Sequence, residues 1–167
     1  MTAQDDEGDM VKFIAAAASA LVLTIIGLTA GSAAAGTTPP ATEQFEAMST
    51  NPVSAVATLI ARGPLTIGGT VNLQTGRAVL PGGNLTLAHH QLHGSSTFSN
   101  RTCLATVTSS GTYRITGGTG RYRLVRGHGD YRLTAYAIVA KVHGKCEANV
   151  VPYAQETLLT ASGPIQQ

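Results

Sequence analysis

The chain has 167 residues and a formal charge of +2, with 43% hydrophobic and only 12% charged residues. This length fits one domain and argues against a multidomain enzyme. The absence of tryptophan, the scarcity of acids and the lack of long charge runs argue against a coiled coil and a disordered acidic tail.

The chain begins with a segment organised like a secretory signal. Residues 13–28 are almost wholly apolar and uncharged, and a small-x-small cleavage site ending at Ala35 follows. This order predicts a signal peptide over residues 1–35, cleaved before Gly36. Four acids precede Met10, where export favours positive charge. We therefore predict that Met10 is the true start; an atypical leader beginning at residue 1 is the alternative.

An uncleaved membrane anchor is the other interpretation of this segment, because the apolar run approaches the roughly 20 residues of a spanning helix. We favour cleavage, since Ala and Gly make the run weakly hydrophobic and the cleavage site follows directly. The remaining chain, residues 36–167, carries ten Lys or Arg and five acids. Because we predict that the leader directs export and is cleaved, the predicted location is secreted or extracytoplasmic. The protein would be membrane-anchored only if the leader is retained.

The exported chain is predicted to be all-β. Residues 36–52 are predicted to form an exposed linker with one helical turn near 43–48, and the domain spans 53–167. Short segments rich in Val, Ile, Thr and Tyr, separated by Gly, Pro or Asn, predict strands. These strands are 53–62, 65–73, 84–92, 103–109, 111–116, 130–142, 146–151 and 153–161. They favour an antiparallel barrel or sandwich, and barrel closure would remove exposed edges.

Similar segments occur near the two ends of this domain, where pairing of the terminal strands would close a barrel. Residues 61–65 and 161–165 both contain Ala-x-Gly-Pro followed by an aliphatic residue. They are compatible with bends in terminal strands that pair with each other, or with chance similarity.

Cys103 and Cys146 are the only cysteines. Export would deliver both to an oxidising environment, which favours a disulfide. Free thiols and a metal site shared with histidines are the alternatives, but the Cys-x-x-Cys spacing of redox and zinc motifs is missing. We therefore predict one disulfide bond.

Residues 115–127 read Ile-Thr-Gly-Gly-Thr-Gly-Arg-Tyr-Arg-Leu-Val-Arg-Gly. This segment resembles the signature of plant dirigent proteins, in which Gly-Gly-Thr-Gly precedes an aromatic residue and Ala-Arg-Gly, and the related turn of allene oxide cyclases. Both families are small eight-stranded antiparallel β-barrels, so the resemblance implies that fold after the signal segment. Further segments are Thr-Cys-Leu at 102–104, Gly-Thr-Tyr-x-Ile-Thr-Gly-Gly-Thr-Gly at 111–120, Gly-Lys-Cys at 144–146 and Ala-Ser-Gly-Pro-Ile at 161–165. With these segments the chain resembles exported actinobacterial proteins of unassigned function over most of residues 53–165.

The glycines of this motif predict a sharp turn, because glycine adopts backbone angles closed to other residues. They are Gly117, Gly118, Gly120 and Gly127. A phosphate-binding loop is disfavoured, since no Lys-Ser/Thr pair and no helical pattern follow.

The resemblance also implies ligand-binding residues. The arginine of Ala-Arg-Gly lies in the barrel pocket of dirigent proteins and matches Arg126, with Arg121 and Tyr122 following the glycine turn. Members that steer phenolic coupling often have an Asp where this chain has Arg121, and a guanidinium does not exchange protons near neutral pH. The resemblance thus implies a small apolar or phenolic-type ligand, and Arg121 argues against phenolic coupling by the mechanism that uses this Asp. A surface arginine on a turn is the alternative for Arg126.

Five arginines and three tyrosines alternate within residues 113–132. If this segment is a strand, Arg121 and Arg123 share one face and Tyr122 and Leu124 the other. Such a surface could contact a cell-envelope polymer through charge and aromatic rings. We favour a solvated barrel exterior with tyrosines inside, and export argues against nucleic acid as a partner. The eight residues are Tyr113, Arg114, Arg121, Tyr122, Arg123, Arg126, Tyr131 and Arg132.

Histidines cluster at His89, His90 and His93. On a regular strand, His89 and His93 face the same way and could ligate a metal together with a third group. No third ligand can be identified from the sequence, so we favour an exposed position at the barrel rim and predict no metal site.

Few carboxylates are available for acid–base chemistry. With Glu43 and Glu46 assigned to the linker, Asp130, Glu147 and Glu156 remain. Glu156 is the best candidate for a buried acid with a raised pKa if it points inward; an outward, solvated position is the alternative. No Gly-x-Ser-x-Gly elbow is present.

The sequence therefore predicts an exported barrel whose interior binds a small, mainly apolar molecule without a cofactor. One alternative is a cofactor-free cyclase or isomerase, in which Arg126 polarises an oxygen and Glu156 or Tyr113 assists. Another is a structural cell-envelope protein with a basic surface. The resemblance to dirigent proteins, which often trimerise, leaves a homo-oligomer as an alternative to a monomer.

Overall fold

The computed structural model describes residues 41–147 and 149–167, and these contain β-strands and one short 3₁₀ turn. The predicted signal segment, 1–35, and residues 36–40 of the predicted linker lie outside the described residues. The strands are β1 (Thr42–Ser49), β2 (Val56–Arg62), β3 (Ile67–Asn72), β4 (Arg77–Leu80), β5 (Gly83–Ser99), β6 (Leu104–Gly118), β7 (Arg126–Ile138), β8 (Lys141–Val142), β9 (Lys145–Cys146) and β10 (Ala154–Gln166).

Eight strands close into a barrel in the order β1-β10-β7-β6-β5-β4-β3-β2, and every neighbouring pair is antiparallel. The predicted eight-stranded antiparallel barrel is thus confirmed. Strands β8 and β9 form a separate hairpin of two residues each. We call the barrel end that holds residues 41 and 167 the lower end. The connections 50–55, 100–103 and 139–153 lie at the opposite, upper end.

Side-chain alternation along the strands separates an inner from an outer face. In β2 every second residue is buried, and β1 shows the same alternation. In β10, exposed residues alternate with buried or half-buried ones from residue 156 to residue 163. The lower part of the interior is filled with large side chains, of which Leu85, Ile115 and Tyr122 are almost fully buried. Each such side chain contributes roughly 1.5–3 kcal/mol by leaving water.

Strand β1 replaces the linker and helical turn that the sequence predicted for residues 42–49. Phe45 and Ala47 alternate with exposed or half-buried residues and pack into the barrel core. The prediction was wrong because the alternation within this short segment was overlooked. β1 also separates the two Gly-Pro segments, since it pairs with both β2 and β10; these segments therefore do not pair with each other.

Three further predicted strands differ from the structure. Segments 103–109 and 111–116 belong to one strand, because β6 continues through Gly111. The described residues of segment 146–151 do not belong to a barrel strand, and β4 was not predicted. Residues 120–122 form a 3₁₀ turn, so the expected strand faces of Tyr122 and Leu124 are not realised; Tyr122 is buried and Leu124 is 69% exposed.

The glycine motif forms the sharp turn between β6 and β7. Gly120 has φ +58°, and a Cβ added there would collide with the carbonyl oxygen of Gly82 in the β4–β5 turn. The two turns are joined by hydrogen bonds from Arg121 N–H to Gly82 O (3.1 Å) and from the Tyr122 hydroxyl to Pro81 O (2.8 Å). The glycines therefore allow two adjacent turns to close the lower end of the barrel.

The predicted disulfide between Cys103 and Cys146 is confirmed, with the two Cα atoms 5.3 Å apart. It joins the β5–β6 turn to the β8–β9 hairpin at the upper end. A disulfide is consistent with an extracytoplasmic location. Within the described part of the chain, no helix is long and apolar enough to span a membrane.

Candidate functional site

The barrel register brings five inward-facing residues into one row. In strand order they are Glu43 on β1, Gly163 on β10, Gly129 on β7, Tyr113 on β6 and His89 on β5. Gly163 and Gly129 lie between Glu43 and Tyr113. Because glycine has no side chain, no side chain of this row separates the carboxyl from the phenol. The row therefore places a carboxyl and a phenol on opposite sides of a glycine-lined stretch of the inner wall.

Glu43 is the most unusual of these residues, because its side chain is fully buried. One carboxyl oxygen, Oε2, accepts a hydrogen bond from the Leu65 backbone N–H at 2.9 Å. The other, Oε1, has no hydrogen-bond partner among the described residues. Burial raises the pKa of the Glu43 carboxyl, and the Leu65 hydrogen bond offsets part of that rise. Glu43 is thus a buried acid with one unoccupied hydrogen-bonding oxygen.

Tyr113 lies close enough to Glu43 for the two groups to influence each other. Its ring is buried and meets Phe45 edge-on, with 6.0 Å between ring centroids. Burial, followed by the negative charges of Glu43 and Asp130, raises the pKa of Tyr113 to about 12. At neutral pH the phenol therefore keeps its proton and can donate a hydrogen bond inside the barrel.

Above this row, the inner wall is partly open to solvent. Six of the inward residues there have small or medium side chains and are only half-buried, although the barrel is closed. Small side chains leave space along a wall that larger residues would fill. We call this surface the mouth; it consists of Val107, Ser109, Leu133, Ala135, Leu159 and Ala161.

Polar groups lie beside the apolar part of the mouth. The Tyr131 and Ser109 hydroxyl oxygens are 3.2 Å apart and share a hydrogen bond. The exposed His89 ring meets Tyr131 edge-on, at 5.9 Å between centroids. A molecule in the mouth would therefore meet aliphatic surface and hydroxyl groups together, the composition typical of small-molecule sites.

The arginines implied by the family resemblance do not lie in this interior. Arg126 is exposed, and its guanidinium donates to the carbonyl oxygens of Val125 (2.8 Å) and Arg123 (3.3 Å). Arg121 is also exposed, with its guanidinium 5.5 Å from the centre of the Tyr122 ring. Tyr122 is buried near the lower end. Of the predicted ligand-binding and catalytic candidates, the structure thus brings only Tyr113 to the inner row.

Glu156 does not provide the buried acid that the sequence suggested. It lies on the outer face of β10, opposite Tyr136 on β7, and is exposed. The buried acid is instead Glu43, which the assignment of residues 36–52 to a linker had removed from consideration. The alternation of Glu43, Phe45 and Ala47 with polar residues was the signal that could have identified it.

His89 and His93 do not face the same way, as they would on a regular strand. A β-bulge between Gln91 and His93 shifts the register. As a result, His89 pairs with inward-facing Tyr113, whereas His93 pairs with Ser110 on the outer face. Within residues 41–147 and 149–167, no group of three His, Cys, Asp or Glu side chains is placed to hold a metal ion.

The outer face carries charges of both signs. A groove of about 570 Å³ crosses β1, β10 and β7 there. A salt bridge between Arg62 and Glu46, with 2.7 Å between Nη1 and Oε2, lies in this groove, as do Asp130 and Arg132. The basic surface expected from the arginine pattern is therefore interrupted by acids in this region.

The fold and these sites define a small closed β-barrel with a partly open, mainly aliphatic mouth above a buried acid. Comparisons with protein-family models, curated proteins and solved structures find no match for this chain.

Proposed function

We propose that the protein binds a small, mainly apolar molecule in the mouth of its barrel. The observation that carries this proposal is the partial exposure of inward-facing aliphatic residues, Leu133 and Leu159 among them, in a closed barrel. Exposed apolar surface on a concave inner wall gains free energy when a ligand displaces its water, by about 25 cal/mol per Å². The resemblance of residues 115–127 to dirigent and allene oxide cyclase barrels supports the same class of ligand.

The polar groups in and near the mouth set the expected chemistry of the ligand. Tyr131 and Ser109 can each donate or accept a hydrogen bond. In the row below, Glu43 Oε1 is unpartnered and the Tyr113 phenol is protonated at neutral pH. The ligand therefore has an apolar body and at least one hydroxyl or carbonyl group, a description that includes phenolic molecules.

A neutral apolar fluorescent probe such as N-phenyl-1-naphthylamine tests this proposal. Saturable binding with one site per chain is expected. Ala135→Phe fills the mouth and is expected to weaken binding by about tenfold or more. The matched control is Ala88→Phe, which places the same ring on the outer face opposite Arg114 and should leave binding unchanged. Denaturant unfolding checks that both variants are folded.

Two outcomes would reject the mouth as a binding site. The first is the absence of saturable binding, which would favour the structural envelope role. The second is equal binding by the two phenylalanine variants, which would place the probe elsewhere on the protein.

A cofactor-free cyclase or isomerase is the second candidate, and the Glu43 carboxyl favours it. A buried acid with a raised pKa, in the same inward-facing row as a protonated phenol, can hold or transfer a proton within a water-poor interior. In this form of the proposal, Glu43 takes the place of Glu156 as the group that holds or transfers the proton. Tyr113 takes the place of Arg126 and polarises the oxygen by donating a hydrogen bond. Glu43→Gln is expected to stop turnover of an identified substrate while retaining probe binding; unchanged turnover would exclude it.

We also propose that the chain is exported and cleaved before Gly36. The Cys103–Cys146 disulfide supports an oxidising destination. The N-terminal residue of protein recovered from the culture medium tests the proposal directly. Gly36 is the expected residue, and a chain that keeps residues 13–28 would establish retention of the apolar segment.

A further inference from the structure

The barrel strands differ greatly in length. Strands β5, β6, β7 and β10 have 13 to 17 residues, whereas β1 to β4 have 4 to 8. Strand β4 pairs with β5 only as far as Thr86, and one further hydrogen bond joins Leu87 N–H to Gly76 O at 2.9 Å. Beyond that point β5 continues to Ser99 with β6 on one side. No other described strand pairs with its second side.

This leaves a long strand edge with unpaired backbone groups. We call residues 88–99 of β5 the free edge. At about 3.3 Å per residue it extends for roughly 40 Å. Residues 88–97 are exposed throughout, so the described part of the chain covers neither face of this segment. On such an edge every second residue turns its N–H and C=O groups away from the sheet, where another strand can bind them.

The free edge lacks the charges and prolines with which proteins usually block edge pairing. No Lys, Arg, Asp or Glu occurs from residue 78 to residue 100, and proline is absent from β5. The bulge between Gln91 and His93 is the one protective irregularity. Residues 93–99 follow it with regular pairing to β6, and six of these seven are small or polar.

We propose that two copies of this chain associate through the free edge, with their β5 strands antiparallel about a twofold axis. Antiparallel self-pairing supplies equal numbers of donors and acceptors from the two copies, as an isologous contact requires. The exported chain carries excess positive charge, which opposes contact between most surfaces of two copies. The free edge brings uncharged segments together, while Arg114 and Arg132 remain on the neighbouring strands β6 and β7.

Mass measurements by light scattering from micromolar to millimolar concentration test this proposal. The expected result is a reversible rise from the mass of one chain to the mass of two. His93→Lys with Thr97→Lys places two charges on the outer face of β5, opposite Ser110 and Thr106. Like charges across paired strands repel, so this variant is expected to weaken association by about tenfold or more.

The matched control is Thr134→Lys with Thr160→Lys, on the outer faces of β7 and β10. It adds two positive charges away from the free edge and should associate more strongly than the His93/Thr97 variant. Hydrogen exchange locates the contact, because alternate amides within 88–99 should become protected as concentration rises. A single-chain mass at every concentration, or a dimer whose 88–99 amides gain no protection, would overturn the proposal.

Discussion

Removal of the Cys103–Cys146 disulfide is expected to lower the free energy of unfolding by about 4 kcal/mol. The bridge joins residues separated by 43 positions, and cross-linking them restricts the unfolded chain over that length. Domains of this size are stable by only about 5–15 kcal/mol, so the loss is a large fraction of the total. Denaturant unfolding of the oxidised protein and of the Cys103→Ala/Cys146→Ala variant measures it.

The position of the bridge adds a second expectation for the same experiment. The disulfide joins the β5–β6 turn to the β8–β9 hairpin, so the connection from β7 to β10 depends on it more than the barrel does. The free energy of unfolding should differ by the same amount between oxidised wild type and wild type reduced under native conditions. This comparison separates the effect of the bridge from the effect of losing the cysteine side chains. Equal stability of the oxidised and reduced forms would show that the bridge restricts the unfolded chain very little.

Glu43→Gln is expected to stabilise the protein at pH 8 by roughly 1 kcal/mol, because it removes a buried charge while its amide group keeps the unpartnered position of Oε1. Burial raises the pKa of this carboxyl above its ordinary value of 4.5. The folded protein therefore binds the proton more tightly than the unfolded chain does. Stability from this group is fully present below pH 4.5 and falls as pH rises through the folded pKa. Glutamine is uncharged and can still accept the Leu65 hydrogen bond.

The measurement is the free energy of unfolding of wild type and variant between pH 4 and pH 8. The difference between the two should grow with pH, because only wild type must bury a charge. Tyr113 does not contribute in this window, since its pKa of about 12 lies far above it. The matched control Glu156→Gln, on the exposed outer face of β10, should change stability by less than about 0.5 kcal/mol. A Glu43→Gln protein less stable than wild type at pH 8 would contradict the assignment of an uncompensated buried carboxylate.

The sequence predicted the fold class better than the individual strands. Alternating Val, Ile, Thr and Tyr between glycines indicated eight antiparallel strands, and eight strands form the barrel. The set differed for three reasons: the alternation of β1 was overlooked, β4 has only four residues, and Gly111 was taken as a break within β6. Glycine inside a paired strand is tolerated when both neighbouring strands hold the backbone, and pairing between distant segments is invisible in local composition.

The candidate site was harder to predict than the fold. Tyr113 was among the candidates and lies inside, but Arg126 and Glu156 lie outside. Alternation divides a strand into two faces without stating which of them is inward. The bulge between Gln91 and His93 reverses the faces midway along β5, so spacing alone assigned His89 and His93 wrongly.

By itself, the sequence determined that residues 53–167 are all-β with one disulfide, and that an apolar segment precedes them. Composition, side-chain alternation and the number of cysteines can be read from the chain without knowing which distant segments come together. Only the tertiary structure decided that Glu43 is the buried acid, that the mouth remains partly open and that β5 has a free edge. These features arise where strands distant in sequence are brought into register. Glu43 and Tyr113 share one inward-facing row in which glycines of β10 and β7 lie between them, and one edge of β5 is unpaired beyond Leu87 because β4 ends early. Barrel closure therefore sets the surroundings of each residue, and those surroundings carry the proposed function.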